Sequence, residues 1–215
     1  MNVRNTVIAA AAALGLSTAG AYAVPVSGQI SLGGYAQANG SVGMGGATGI
    51  SFANASGSSV TGTSGVLTSF GAGSGSFLGL GACSSTTSGC GTIKDIASFA
   101  SIPTSGTTPT ISPFLTLSSG TGPVVTFDLN SLTSVTRTQD NLGGSLTFTA
   151  AGTINYTGFD ATAGQFILTA QGNNIVSFSA TTLAANTAVP EPMSLALLGS
   201  GLAAVGLIRR KRQSA

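Results

Sequence analysis

The chain has 215 residues and a mass of 20.8 kDa, which suits one domain with short appendages. Only 6% of the residues are Asp, Glu, Lys or Arg, against about 25% in ordinary globular proteins, and there is neither Trp nor His. The lack of His excludes a Ser-His-Asp triad, a His-ligated metal and an imidazole base. The scarcity of basic residues argues against a nucleic-acid partner.

The formal net charge of +2 arises at the two ends of the chain. Between Val24 and Val189 there are two basic and four acidic residues, so this body has a net charge of −2. The six are Lys94, Arg137, Asp95, Asp128, Asp140 and Asp160. The sequence pI of about 8.8 therefore describes the ends, whereas the body is a nearly neutral stretch rich in Ser, Thr, Gly and Asn.

Residues 1–23 have the pattern of a secretory signal peptide. A short apolar run follows Arg4, and the small residues Ala21 and Ala23 form a signal-peptidase site. We therefore expect signal peptidase to cleave before Val24 and the remaining chain to be exported. The alternative is an uncleaved membrane helix, for which the apolar run is short.

The expected export of the chain bears on the state of its two cysteines. Cys83 and Cys90 enclose six residues that are all Ser, Thr or Gly. In an oxidising compartment such a pair predicts a local disulfide, which stabilises by about 2.5 kcal/mol on the loop-entropy model. Two free thiols are the alternative, and a metal site would require ligand residues that are not found nearby.

The C-terminal region has three successive parts. A linker over residues 186–192 ends in Pro190, Glu191 and Pro192. The sixteen uncharged residues Met193–Ile208 would span about 24 Å as a helix, slightly less than a ~30 Å hydrocarbon core. Basic side chains then predict a cytoplasmic end at 209–215 by the positive-inside rule; they are Arg209, Arg210, Lys211 and Arg212.

This three-part tail, from about Val189 to Arg212, resembles the PEP-CTERM sorting signal. The resemblance implies that Pro190, Glu191 and Pro192 are recognised by an exosortase, an integral-membrane enzyme of Gram-negative bacteria often encoded beside exopolysaccharide genes. It implies that the helix lies in the inner membrane transiently, before the protein reaches the cell surface or extracellular matrix. The alternative is a plain tail anchor in which the prolines only delimit the helix.

The first part of the body, to about residue 82, is Gly/Ser-rich and irregular. Glycine pairs such as Gly33-Gly34 and Gly45-Gly46 separate short apolar clusters, which favours short strands with long turns or a partly ordered region. The spacing of the glycines fits neither a dinucleotide fingerprint nor a phosphate loop. Ile93–Phe99 is ambiguous between a helical turn and a bulged strand.

The second half alternates with a period of two. Even positions from Leu146 to Tyr156 are apolar or small, and the odd positions are mainly Thr. Further strands are predicted at Phe114–Leu117 and Val124–Leu129, at Phe166–Ala170, and at Ile175–Thr181 after a tight turn at Gly172-Asn173-Asn174. We therefore predict an all-β body over residues 24–185, an antiparallel β-sandwich or jelly roll, with a β-solenoid as the alternative.

Three acidic residues could in principle supply a catalytic pair. Asp140 and Asp160 lie beside glycines in predicted turns, and Asp128 lies at a predicted strand end. Side chains of this type commonly hydrogen-bond the local backbone, so we favour structural roles over a calcium site or catalysis. Lys94 and Asp95 are interpreted as a solvated pair.

Three functions follow from these patterns. The first is a non-catalytic surface or matrix protein, processed by an exosortase and associated with exopolysaccharide in a biofilm, that needs no cofactor. The second is a carbohydrate- or ice-type binding module on a plain tail anchor, which would show a flat Thr array or an aromatic platform. The third is a secreted hydrolase, which would require two facing carboxylates in a cleft.

Overall fold

The computed structural model of the protein describes residues 24–99, 110–120 and 122–184. The predicted signal peptide, linker, membrane helix and basic end lie outside the described residues, as do the sorting-motif residues Pro190, Glu191 and Pro192. Within the described ranges the helices are two short 3-10 segments, Met44–Gly46 and Gly75–Leu80. Neither has the length and apolar character that a membrane span requires.

The described body is built from twelve strands. Val24–Thr187 clusters as one compact unit. The strands are β1 (Val24–Pro25), β2 (Gln29–Asn39), β3 (Gly49–Phe52), β4 (Ser64–Phe70), β5 (Cys83–Ser84), β6 (Gly91–Lys94), β7 (Ile111–Ser118), β8 (Val124–Thr138), β9 (Ser145–Tyr156), β10 (Phe159–Asp160), β11 (Thr162–Gln171) and β12 (Ile175–Ala184).

Eight of these strands form a closed, barrel-like antiparallel sheet. Hydrogen bonding runs in the order β2, β12, β11, β9, β8, β7, β6 and β4, and β4 pairs again with β2. The strands β9, β11 and β12 are successive antiparallel neighbours. The short β10, between β9 and β11 in the chain, pairs in parallel with β1. Two short strands lie beside the closed sheet. Strand β5 pairs with β4, and β3 lies beside one half of β2 while β4 occupies the other half.

The all-β antiparallel class is therefore confirmed, but the arrangement differs from two packed sheets. One sheet closes on itself because β2 finds a partner on each edge: β12 on one side, and β3 with β4 on the other. Closure leaves few backbone groups unpaired at sheet edges, which would otherwise invite association with other chains. The solenoid alternative is wrong, since the strands of the closed sheet are antiparallel neighbours.

The alternation predicted for the second half is present in the structure. Along β9, each even-numbered residue from Leu146 to Tyr156 is buried and each odd-numbered residue is partly exposed. Phe166, Leu168 and Ala170 of β11 are likewise buried. The turn at residues 172–174 is also confirmed, with Asn174 at a positive φ of 59°.

The interior of the closed sheet is filled by phenylalanine rings. Phe166 contacts three others, with ring centroids 5.2 Å from Phe114, 6.1 Å from Phe127 and 5.9 Å from Phe148. Phe52 extends the cluster, 6.3 Å from Phe114. All five are buried. Because side chains occupy the inside, a ligand would have to bind on the outer face or at the rim.

The glycine-rich first part is more regular than predicted. Gly33 and Gly34 lie in the middle of β2, an eleven-residue strand, and not in a turn. A Cβ on Gly34 would be 2.8 Å from the Cε1 atom of Phe178, so the glycine gives room for a ring on the neighbouring strand. The glycine pair therefore serves close packing across the sheet.

The predicted disulfide between Cys83 and Cys90 is confirmed, with a Cα–Cα distance of 5.7 Å. It joins the ends of a loop whose flanking strands, β5 and β6, both pair with β4. The backbone N–H of Cys90 donates to the carbonyl of Leu67 on β4, at 2.7 Å. The bridge thus holds β5 and β6 on β4 while the Ser/Thr loop projects outward. A disulfide of this kind is typical of an oxidising, extracytoplasmic compartment.

The segment Ile93–Phe99 contains no helix. Strand β6 ends at Lys94, and Ile96 forms an isolated bridge with Ile50 of β3. Lys94 and Asp95 are not the solvated pair we expected. The Nζ of Lys94 donates to the carbonyl of Ser112, and Asp95 Oδ1 accepts from the backbone N–H of Phe52 at 2.8 Å. The two side chains therefore bond to different elements, Lys94 to β7 and Asp95 to β3.

Candidate functional site

The outer face of the sheet carries rows of hydroxyl side chains that run across neighbouring strands. One row follows the register from β6 to β9, and a second from β8 to β12. Adjacent strands are about 4.8 Å apart, so each row forms a regular series of hydroxyl and amide groups. The first row is Thr92, Thr116, Thr126 and Asn155; the second is Thr136, Thr147, Thr169 and Ser179.

A shallow groove lies at one end of the first row. Its volume is about 390 Å³, and its eight lining residues are all uncharged. They come from the start of β8, the end of β9 and the turn through β10. The lining residues are Val124, Thr126, Asn155, Tyr156, Thr157, Gly158, Phe159 and Ala161.

An aromatic stack forms one part of this groove. Phe159 stacks on Tyr156 with centroids 4.9 Å apart and planes inclined by 17°. Tyr156 in turn lies parallel to the buried Phe77, at 6.2 Å and 7°. Phe159 is the outermost and the most exposed of the three rings, since Tyr156 is only 6% exposed. The stack therefore holds a flat apolar ring rigidly at the groove.

Asp128 orients the polar side of the groove. The amide Nδ2 of Asn155 donates to Asp128 Oδ2 at 2.8 Å, and Ser112 Oγ donates to Asp128 Oδ1 at 2.5 Å. A carboxylate can only accept hydrogen bonds, so the Asn155 atom that contacts Asp128 must be the amide nitrogen and not the amide oxygen. The Oδ1 of Asn155 and its second N–H are then held in a defined direction beside Thr126, its cross-strand partner.

This network corrects the prediction for Asp128. The residue lies within the long strand β8 and not at a strand end, because β8 continues to Thr138. Its side chain bridges β7 and β9. The sequence signal that could have revealed this is the alternation of Thr126, Asp128 and Asn130 as outward positions, which continues the strand beyond its apolar part.

Asp140 has the turn role that was predicted. Its Oδ1 accepts from the backbone N–H groups of Leu142 and Gly144, both at 2.7 Å. Asp160 lies in the short strand β10, two residues after the turn at residues 157–158, and not within a turn as predicted. The Oγ1 of Thr162 donates to the Asp160 carbonyl at 2.8 Å.

The acidic residues therefore have separate surroundings. Asp95, Asp128 and Asp140 each accept hydrogen bonds from different elements. In the part of the chain that the structure describes, no three His, Cys, Asp or Glu residues come together in a way that could hold a metal ion. The groove instead offers stacking and neutral hydrogen bonding.

The residues predicted from the ends of the chain are placed as follows. Val24, the expected new N-terminus, begins β1 and pairs with Phe159, which lines the groove. The cleavage-site residues Ala21 and Ala23 lie outside the described residues. The same holds for the sorting motif and for the basic residues Arg209, Arg210, Lys211 and Arg212.

Comparison of the chain with protein-family models, with curated proteins and with solved structures found no match. The features of this protein that bear on its function are the groove, the hydroxyl rows and the motifs at the ends of the chain.

Proposed function

We propose that this is an exported, non-catalytic protein of the cell surface or extracellular matrix, sorted by an exosortase and held in contact with exopolysaccharide. The tail from Pro190 to Arg212 supports the sorting step. The disulfide between Cys83 and Cys90 supports an oxidising destination. Signal peptidase and exosortase would be its processing partners, and the C-terminal helix its transient contact with the inner membrane.

The observation that carries the matrix role is the chemistry of the outer face. The rows ending in Asn155 and Ser179 present hydroxyl and amide groups with almost no charge. Hydrated polysaccharides offer the same groups, so the two surfaces can exchange hydrogen bonds without the cost of desolvating ions. A non-catalytic role is supported by the separate hydrogen-bonding partners of Asp95, Asp128 and Asp140.

The sorting step is tested by intact mass and C-terminal peptide mapping of protein recovered from its native envelope and medium. The expected result is loss of the region beyond Pro190, Glu191 and Pro192, with a mass increment from an attached group. A Pro190→Ala, Pro192→Ala variant should remain unprocessed, while Pro123→Ala, the matched control on the body, should be processed normally. An intact tail ending at Ala215, in cells that make exosortase, would refute the proposal.

A second candidate function is a carbohydrate- or ice-type binding module on a plain tail anchor. The row through Thr136, Thr147, Thr169 and Ser179 supports it, because a regular hydroxyl array can match a regular ligand. Ice-recrystallisation inhibition by the wild-type protein, lost in a Thr147→Val, Thr169→Val variant, would favour the ice-type form. A normally processed tail without any such inhibition would contradict this candidate.

A third function, a secreted hydrolase, has less support than either. Its test is release of reducing ends from neutral polysaccharide by the wild-type protein, compared with an Asp128→Asn, Asp160→Asn variant. Equal background rates would exclude it.

A further inference from the structure

We propose that the groove lined by Thr126, Asn155 and Phe159 is a binding site for one or two residues of a neutral polysaccharide. The inference rests on the proposed contact with exopolysaccharide and locates that contact. It depends on three features of the groove: its shape, its aromatic ring and its oriented amide.

The shape suits a small part of an extended chain. A volume of about 390 Å³ is at the lower end of the range for small-molecule sites, roughly 300–1,000 Å³. The groove is shallow and open, so a polymer could pass through it without threading its ends. An open groove fits a segment inside a long chain better than a small free metabolite, which would require an enclosed cavity.

The aromatic ring supplies the apolar part of recognition. One face of a pyranose ring carries several C–H groups, and such a face packs flat on an aromatic ring. Phe159 is suited to this role because Tyr156 and Phe77 support it from behind. A ring already held in place loses little conformational freedom on binding, which favours affinity.

The polar edge supplies orientation. Asn155 has its amide direction determined by Asp128, and Thr126 lies opposite it on the neighbouring strand. A sugar hydroxyl is both donor and acceptor, so it can bond to an amide oxygen, an amide N–H or a threonine hydroxyl. The uncharged lining provides no partner for a carboxylate or phosphate, and this selects a neutral sugar over a uronic acid.

The test is titration of the mature protein with neutral hexasaccharides. The probes are cellohexaose, maltohexaose and neutral fragments of the producing cells' own polysaccharide, with hexagalacturonic acid as the charged comparison. Calorimetry gives the affinity. Because the chain has no Trp, the emission of the mature protein comes from Tyr156 in the groove and Tyr35 on β2, and a Tyr35→Leu variant isolates the Tyr156 signal. We expect saturation by a neutral probe with a Kd of about 1 mM or tighter, and weaker binding of the charged one.

Variants locate the site. Phe159→Ala should weaken binding roughly tenfold, whereas Phe159→Tyr should stay within about twofold because its ring still stacks. Asn155→Ala should also weaken binding. The matched control is Tyr35→Leu on β2, an aromatic residue outside both the groove lining and the hydroxyl rows, and it should bind as the wild type does.

Three results would overturn the inference. They are no saturation by any neutral probe at about ten times the expected Kd, binding unchanged in Phe159→Ala and Asn155→Ala, or preferential binding of the charged hexamer. Its failure is separable from that of the proposed function. If the tail is processed but the groove binds no saccharide, only this inference fails. If the groove binds saccharide but the tail is not processed, only the sorting step fails.

Discussion

Gly34 in the middle of β2 provides a sharp test of how the sheet is packed. A Cβ added there would lie 2.8 Å from Cε1 and 2.9 Å from Cζ of Phe178. Carbon atoms prefer a separation of about 3.5 Å, so the ring would have to move by about 0.7 Å. Phe178 is only 5% exposed and packs edge-on against Phe52 at 5.3 Å, which leaves little room for that movement.

We therefore expect Gly34→Ala to destabilise the protein. Overpacking costs about 1–3 kcal/mol, and alanine recovers about 0.5–1 kcal/mol because glycine is disfavoured within a strand. Taking the middle of both ranges, the net loss in unfolding free energy should be about 1 kcal/mol, or a decrease of roughly 2–4 °C in Tm. The assay is urea and thermal unfolding followed by circular dichroism.

Two comparisons show whether the cause is steric. Gly71→Ala is the matched control, since no atom lies within 4 Å of the added Cβ, and it should be neutral or slightly stabilising. In a Phe178→Leu background the smaller side chain gives room, so Gly34→Ala should cost less there. Wild-type stability for Gly34→Ala, or the same loss in both backgrounds, would refute the packing argument.

Three further predictions concern stability and are checked by denaturant unfolding. Replacing both cysteines, Cys83→Ser with Cys90→Ser, should lower the unfolding free energy by about 2.5 kcal/mol, and reducing the disulfide of the wild-type protein should lower it equally. An unchanged unfolding free energy would contradict the loop-entropy account. Asp140→Ala should lower the unfolding free energy by about 1–2 kcal/mol, because two backbone N–H groups lose their acceptor. Asp140→Asn keeps an acceptor oxygen and should retain most of that free energy. Equal losses in the two variants would contradict the turn role of Asp140. Phe166→Ala should lose about 3–5 kcal/mol, whereas the exposed Thr136→Val should stay within about 0.5 kcal/mol; similar losses would contradict the assigned core.

The sequence predicted some elements well because their signal is local. In β9 the alternation of apolar and polar residues has the two-residue period of a strand, and each side chain independently favours one face. The disulfide could be predicted because six intervening small residues bring Cys83 and Cys90 within reach of each other. The role of Asp140 follows similarly from a side chain that bonds backbone two and four residues onward.

Other features depend on residues far apart in the chain. The glycines of β2 resemble turn residues until Phe178, on a strand formed much later, occupies the space above Gly34. The bridging role of Asp128 could not be predicted, because its partners Ser112 and Asn155 come from two different strands. Closure of the sheet also depends on β2 pairing with both β4 and β12, which no local pattern encodes.

By itself, the sequence determined the strand-rich, nearly uncharged character of the body, its disulfide, and the expectations for its two ends. Each of these follows from composition or from the spacing of neighbouring residues. The tertiary structure decided the closed sheet, the filled interior and the groove at Phe159. These arise only when register brings distant strands together, because Thr126 and Asn155 become neighbours through cross-strand pairing and not through their position in the chain.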